Sequence, residues 1–85
     1  MKSRASDKFW LLYHRLPPEI QCLADRNYAL WRENHCYPSL HFKKVKFFWV
    51  ARVGGNYRSV GIEFQGTITW FWIGPHDEYE QLIKG

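Results

Sequence analysis

The sequence has no long run of apolar residues and only two cysteines among its 85 residues. A transmembrane helix needs about 20 mostly apolar residues, whereas the apolar segment Phe9–Tyr13 is short and ends at His14. The basic start, Met1–Arg4, is not followed by the apolar region and small-residue cleavage site of a secretory signal. We therefore expect a cytoplasmic protein without a membrane span, in which Cys22 and Cys36 are free thiols.

Several enzyme motifs are also missing. The sequence contains no nucleophile elbow, no phosphate-binding glycine loop and no paired carboxylates. His35, Cys36 and His41 do not match the regular spacing of metal ligands, so we expect neither a metal nor another cofactor. The chain also lacks repeats, low-complexity tracts and linkers, and its length suits one small domain over residues 1–85.

Acidic residues are absent between Glu33 and Glu63, and the net charge of the chain is +4 at pH 7. The cations within this stretch are Lys43, Lys44, Lys46, Arg52 and Arg58. A block of one sign inside a folded segment creates a positive field that favours phosphate-bearing or acidic partners. A solvated strand face is the alternative interpretation.

Aromatic residues are abundant, at 19% of the chain, with five Trp, five Tyr and six Phe. Each aromatic side chain carries a large apolar area, so a small monomer that exposes a surplus of them commonly uses it as an interface. We therefore expect at least one surface that binds a partner protein.

The first half of the chain is patterned for two helices. Ser6–Asp7 can accept hydrogen bonds from the free N–H groups of a first helical turn. Apolar residues then recur at helical spacing up to Leu16. Pro17–Pro18 ends this helix and begins a second one, whose apolar stripe runs from Ile20 to Trp31. The sequence thus predicts a helical hairpin with one apolar side.

The second half is patterned for strands. The β-branched and aromatic runs Phe47–Val53 and Tyr57–Phe64 flank the loop Gly54–Asn56, and Thr67–Ile73 follows the tight turn Gln65–Gly66. These runs predict an antiparallel meander with one face packed on the helices and the other face open.

Shorter elements complete the predicted fold. Leu40–Val45 is predicted to add a short strand, and His76–Lys84 a closing helix or turn, whereas the short polar segment Met1–Ala5 makes a first strand doubtful. The expected fold class is α+β: an N-terminal helical hairpin packed on a three- to four-stranded antiparallel sheet, with a short C-terminal helix.

Strand alternation assigns side chains to faces. Trp70 and Trp72 are expected on one face of the last strand with Ile68, either as core against the first helix or as a stacking platform for bases. Arg58 shares its strand phase with apolar residues, so either a bulge or a position at the rim of the core is needed to free its guanidinium.

This order of elements resembles the RelE/ParE superfamily of toxins over nearly the whole chain. The resemblance rests on four segments: Leu16–Ile20, Pro38–Leu40, Arg52–Arg58 and Ile73–Tyr79. The third is similar to the family's RVG..YR hairpin, and the fourth to its GH…Y segment. The resemblance implies a toxin of a type II toxin–antitoxin pair, neutralised by a cognate antitoxin protein.

Two activities occur on this scaffold. The resemblance implies either mRNA cleavage in the ribosomal A site without a metal, as in RelE-like members, or inhibition of DNA gyrase, as in ParE-like members. We expect a ribosome-dependent mRNA endonuclease that inhibits translation, because a basic block lies beside a His–Tyr tail. A non-enzymatic gyrase inhibitor and an inactive relative that only binds an antitoxin are the alternatives.

The resemblance also implies the site residues. His76 stands where ribonuclease members carry a His or Arg, and it is the expected general acid or base. Arg58 matches the arginine that contacts the scissile phosphate, and Arg52 would face it across a symmetric hairpin. Tyr79 lies near the family's C-terminal Tyr, which can stack on a base or orient the phosphate; a core side chain at helical spacing from His76 is the equal alternative. Glu63 is a further candidate base.

The lysines depart from the pattern. RelE-like members carry lysines in the strand before the hairpin, where this chain has Phe48 and Val50. This difference favours the gyrase alternative. Lys43, Lys44 and Lys46 lie earlier in the chain, and we expect them to contact ribosomal RNA instead.

Overall fold

One five-stranded sheet, covered by helices on both faces, forms the framework of the protein in the computed structural model, which describes residues 2–85. The elements are β1 (Lys2–Ala5), α1 (Asp7–His14), α2 (Pro18–Glu33), a 3-10 turn (Pro38–Leu40), β2 (Lys43–Val45), β3 (Phe48–Val53), β4 (Tyr57–Phe64), β5 (Thr67–Pro75) and α3 (His76–Lys84). The strand order across the sheet is β1-β5-β4-β3-β2. The α+β class and the closing helix are confirmed.

Strand β1 corrects the expected sheet of three or four antiparallel strands. It pairs in parallel with β5, from Lys2 opposite Thr67 to Ala5 opposite Trp70, so the sheet is mixed and has five strands. The residues of β1 are polar or only half-buried. The strand is held by backbone hydrogen bonds to β5 rather than by an apolar pattern, which is why side-chain periodicity did not reveal it.

The helices are also not a strictly N-terminal hairpin, because β1 precedes them. α1 begins at Asp7 and is capped by Ser6, whose Oγ accepts a hydrogen bond from the Phe9 N–H at 3.2 Å, and α2 begins at Pro18. α1 packs against β5 and α2 against β3; we call the sheet surface that they cover the α1/α2 face. α3 packs across β4 and β5 on the other surface, the α3 face.

Buried side chains form a core on each face of the sheet. On the α1/α2 face they are Leu16, Ala24, Trp31, Leu40, Ala51, Val53, Ile68, Trp70 and Ile73. On the α3 face they are Val50, Val60 and Trp72, which contact the α3 residues Tyr79 and Leu82.

A bulge in β5 separates two tryptophans that simple alternation places together. Val60 pairs with Trp72 and Gly61 pairs with Trp70, so Phe71 is an extra residue in β5. Trp70 therefore lies on the α1/α2 face and Trp72 on the α3 face. The prediction that both share one face is wrong. Both are buried, so neither forms an open stacking platform for bases.

Glycine permits the close approach of β4 and β5 at this bulge. A Cβ on Gly61 would lie 2.8 Å from Ile68 Cγ2 and 3.0 Å from the Thr69 carbonyl oxygen. The turn between these strands has positive φ at Gln65 (51°) and at Gly66 (81°), as a tight hairpin requires.

Cys22 and Cys36 are free and exposed. No helix within residues 2–85 combines the length and apolar character needed to cross a membrane.

Candidate active site

Two arginines face each other on neighbouring strands of the α3 face. Arg52 of β3 and Arg58 of β4 are paired in register, as a symmetric hairpin predicts. They share the strand phase of Val50 and Val60, whose side chains pack with those of α3. Both arginines are half-buried, so their charged groups lie near the rim of this core.

Neither arginine has a carboxylate partner, because the one ion pair within residues 2–85 lies inside α3. Arg58 Nη1 instead donates to the carbonyl oxygens of Gly55 at 3.1 Å and Tyr57 at 2.7 Å. Burial, and secondarily the charge of Arg52, lower the pKa of Arg58. Two like charges held side by side favour binding of an anion between them.

Helix α3 brings a histidine and a tyrosine to the same place. The backbone N–H of His76 donates to the Asn56 carbonyl at 2.7 Å, which ties the start of α3 to the β3–β4 loop. The rings of His76 and Tyr79 lie 5.7 Å apart, and His76 Nε2 lies 3.4 Å from Glu80 Oε1. Tyr79 is close enough to Arg58 to offset part of the lowering of the Arg58 pKa. Chain segments far apart in sequence thus meet at one end of the α3 face.

An open depression of about 390 Å³ lies between the β3–β4 loop and the start of α3. Its lining residues are Gly55, Asn56, Tyr57, Arg58, Pro75, His76 and Asp77. A phosphodiester in this depression would lie beside both an imidazole and a guanidinium.

Comparison with known proteins finds similarity at the level of structure. No protein-family model and no curated protein sequence matches the chain. The toxin–antitoxin complex RelBE2 from Mycobacterium tuberculosis matches with a TM-score of 0.64 and 20% identity, over 88% of this chain and 90% of that chain. An archaeal RelE–RelB complex from Pyrococcus horikoshii matches with a TM-score of 0.63 and 13% identity, over 87% and 92%.

A third match is a copper-bound mutant toxin from Helicobacter pylori, with a TM-score of 0.61 and 15% identity, over 92% of this chain and 97% of that chain. The chain has the fold of the RelE-like toxins.

The three predicted RNA-binding lysines do not form one patch on this RelE-like fold. Lys43 is paired with Val50 and so lies on the α3 face, whereas Lys44 is paired with Trp49 and lies on the α1/α2 face. Lys46 lies in the turn between β2 and β3, and its Nζ donates to the Ile83 carbonyl at 2.9 Å. Strand alternation separates neighbours that the linear sequence groups together.

Glu63 does not join the site. Its carboxylate accepts a hydrogen bond from Trp49 Nε1 at 3.2 Å, and it lies on the α1/α2 face, two residues beyond Gly61. The whole sheet therefore separates Glu63 from His76, which leaves no part for Glu63 as a base in this site.

His41 is a neighbour of the site that no sequence pattern predicts. Its Nε2 lies 3.4 Å from Arg52 Nη1. No cluster of three or more metal-binding side chains is found in the described part of the chain. The available sequence signal was its position three residues after Pro38, at the end of a tight turn before β2.

A separate apolar cavity of about 190 Å³ lies between α1, α2 and the sheet. Its walls include Phe9, Trp31, Ala51 and Trp70. The cavity lies on the face opposite α3, and none of the described residues that line it is a histidine.

Proposed function

We propose that this protein is the toxin of a type II toxin–antitoxin pair and that it cleaves mRNA on the ribosome, in the cytoplasm and without a metal. One observation carries the proposal: on a RelE-like fold, Arg58 lines the same depression as His76, lies near Tyr79 and is paired with Arg52. Neither arginine is neutralised by a carboxylate within residues 2–85.

Each of these groups has a chemical task in RNA cleavage. Attack of a 2′-hydroxyl on the adjacent phosphorus breaks the bond to the 5′-oxygen, so one proton is removed and another is delivered. The imidazole of His76 can perform one of these transfers near neutral pH. Arg58 and Arg52 would stabilise the extra negative charge on the phosphorane. Tyr79 would stack on a base or orient the phosphate.

The exposed lysines would serve docking rather than chemistry. Lys43 and Lys44 project on opposite faces of the edge strand β2, so they would contact different parts of the ribosomal RNA. Lys46 would add to the positive field around β2, although its Nζ already donates a hydrogen bond to the Ile83 carbonyl. Such contacts are electrostatic and weaken as salt rises.

The proposed antitoxin is an acidic, partly disordered segment that folds onto the toxin. Large apolar side chains are exposed in separate places, with Phe47 at 81%, Phe64 at 73% and Leu11 at 58%. A wrapping segment would cover these positions better than a single compact surface, and its acidic residues would complement the net charge of +4.

The test is inducible expression in bacteria of the wild type beside His76→Ala and a control, His14→Ala, with mapping of mRNA 5′ ends during growth arrest. His14 is exposed and lies on α1, on the far side of the sheet. We expect new cuts within translated codons for the wild type and the control. The cuts should fall roughly 10²–10⁴-fold in His76→Ala, the contribution of a general acid or base.

Other outcomes would contradict the endonuclease. Growth arrest without cuts would point to an inhibitor that acts by binding, such as one of DNA gyrase. Absence of arrest would leave a protein that only binds its partner. Cuts that persist in His76→Ala would remove His76 from the chemistry.

A further inference from the structure

A second group of basic side chains continues the α3 face beyond Arg52, on the side away from His76. Arg52 Nη1 and His41 Nε2 lie 3.4 Å apart, and Nε2 must be the acceptor because a guanidinium can only donate. Lys43 is paired with Val50 and lies on the same face. We call Arg52, His41 and Lys43 the edge cluster.

The edge cluster has no counter-charge of its own. None of its members forms an ion pair with another residue of the described chain. The acidic residues nearest to it in sequence are Glu33 and Glu63, and Glu63 lies on the opposite face. The Arg52 guanidinium thus donates to an imidazole nitrogen rather than to an anion, whereas a phosphate oxygen would add the attraction of its negative charge to the same hydrogen bond.

The backbone holds His41 in an unusual conformation. Its φ of 44° and ψ of 41° lie in the left-handed region, which few non-glycine residues adopt. Its N–H donates to the Pro38 carbonyl at 3.2 Å, closing the 3-10 turn. Such strain persists only where the surrounding structure maintains it, and it commonly marks a functional position. Here it keeps the imidazole beside Arg52.

We propose that the edge cluster binds a second phosphodiester, next to the one held by Arg58 and His76. The two positions lie on adjacent strands, about 4.8 Å apart in the hydrogen-bonding direction, and Arg52 lies between them with donors for both. The RNA strand would therefore run across β4 and β3 towards the edge of the sheet. This inference rests on the proposed function, since it assigns a second subsite for the same substrate class.

The competing explanation is that His41 merely supports Arg52. In that case, replacing His41 would weaken the binding of every ligand of the site to the same extent. A second subsite behaves differently, because replacing His41 would remove only the gain that an additional phosphate provides. The two explanations can be separated with ligands that differ by one phosphate.

The probes are a 2′-O-methylated adenosine dinucleotide, which cannot be cleaved, and the same dinucleotide with an added 5′-phosphate or an added 3′-phosphate. Dissociation constants would be measured by NMR titration for the wild type, His41→Asn and the control His14→Asn. Asparagine tolerates the left-handed backbone but is too short to replace the imidazole. His14 is exposed on α1, away from the α3 face.

We expect one added phosphate to tighten binding to the wild type and to His14→Asn by several-fold, roughly tenfold at most, with no such gain for His41→Asn. Whether the 5′-phosphate or the 3′-phosphate tightens binding would also give the direction of the RNA strand. An equal gain in His41→Asn, or no gain in the wild type at either end, would overturn the second subsite. If the wild type shows the expected gain from an added phosphate but does not cleave mRNA on the ribosome, the proposed function is refuted and the second subsite is not.

Discussion

Removing one of the two opposed arginines should stabilise the fold while weakening anion binding. Arg52 and Arg58 are paired across β3 and β4 without a carboxylate partner within residues 2–85. For unit charges about 6 Å apart, Coulomb repulsion is roughly 0.7 kcal/mol in a water-like dielectric and roughly 2.8 kcal/mol at an effective dielectric constant of 20.

Both side chains are only half-buried, so the lower part of that range applies. Directly opposed like charges in sheets destabilise by about 0.2–1 kcal/mol. We therefore expect Arg52→Gln to raise the free energy of unfolding by about 0.5–1 kcal/mol. The Tm should rise by roughly 2–8 °C in a chain of this size. The contact with His41 is exposed and long, at 3.4 Å, so its loss should cost little.

The assay is thermal unfolding followed by circular dichroism at low salt and at 1 M salt. Arg26→Gln is the matched control, since it removes one exposed cation from α2 and changes the net charge equally. The increase in Tm caused by Arg52→Gln should exceed that caused by the control at low salt. It should shrink at 1 M salt, where the Debye length is about 3 Å. Equal Tm values for the two variants at low salt would refute the reasoning.

Two further predictions concern packing and pH. Gly61→Ala should destabilise the fold by about 1–3 kcal/mol in urea unfolding, because its Cβ would lie 2.8 Å from Ile68 Cγ2, whereas Gly55→Ala, with no atom within 4 Å, should have little effect. Burial and the hydrogen bond donated to Asp25 raise the pKa of Tyr13 from 10.0 to about 12. The Tyr13 hydroxyl therefore contributes stability that is fully present below pH 10 and is lost as the pH rises through about 12. Tyr13→Phe should flatten this alkaline loss in unfolding measured against pH, and an unchanged profile would contradict the assignment.

Local patterns predicted most of the elements. The Ser6 cap, the Pro17–Pro18 junction and the Gln65–Gly66 turn act within a few residues, so the starts of α1 and α2 and the end of β4 follow from them. β1 could not be predicted in this way, because its pairing with β5 joins Lys2 to Thr67, far along the chain.

The faces of the sheet were predicted less well. Alternation holds along β3 and β4, where it places Arg52 opposite Arg58. It fails in β5, because the extra residue Phe71 reverses the phase between Trp70 and Trp72. A bulge depends on what the neighbouring strand can accommodate, here a residue without a Cβ at Gly61.

The sequence by itself determined the class of the fold and the basic character of the β2–β4 region, and it predicted the four residues of the candidate site. These features depend on short-range periodicity, on turn chemistry and on the resemblance carried by a few segments. Only the tertiary structure decided which residues meet. In it, His76 hydrogen-bonds to Asn56 of the β3–β4 loop, His41 lies beside Arg52, and Glu63 lies on the opposite face. Those contacts depend on strand register and on the packing of α3, which form between distant parts of the chain and leave no local pattern in it.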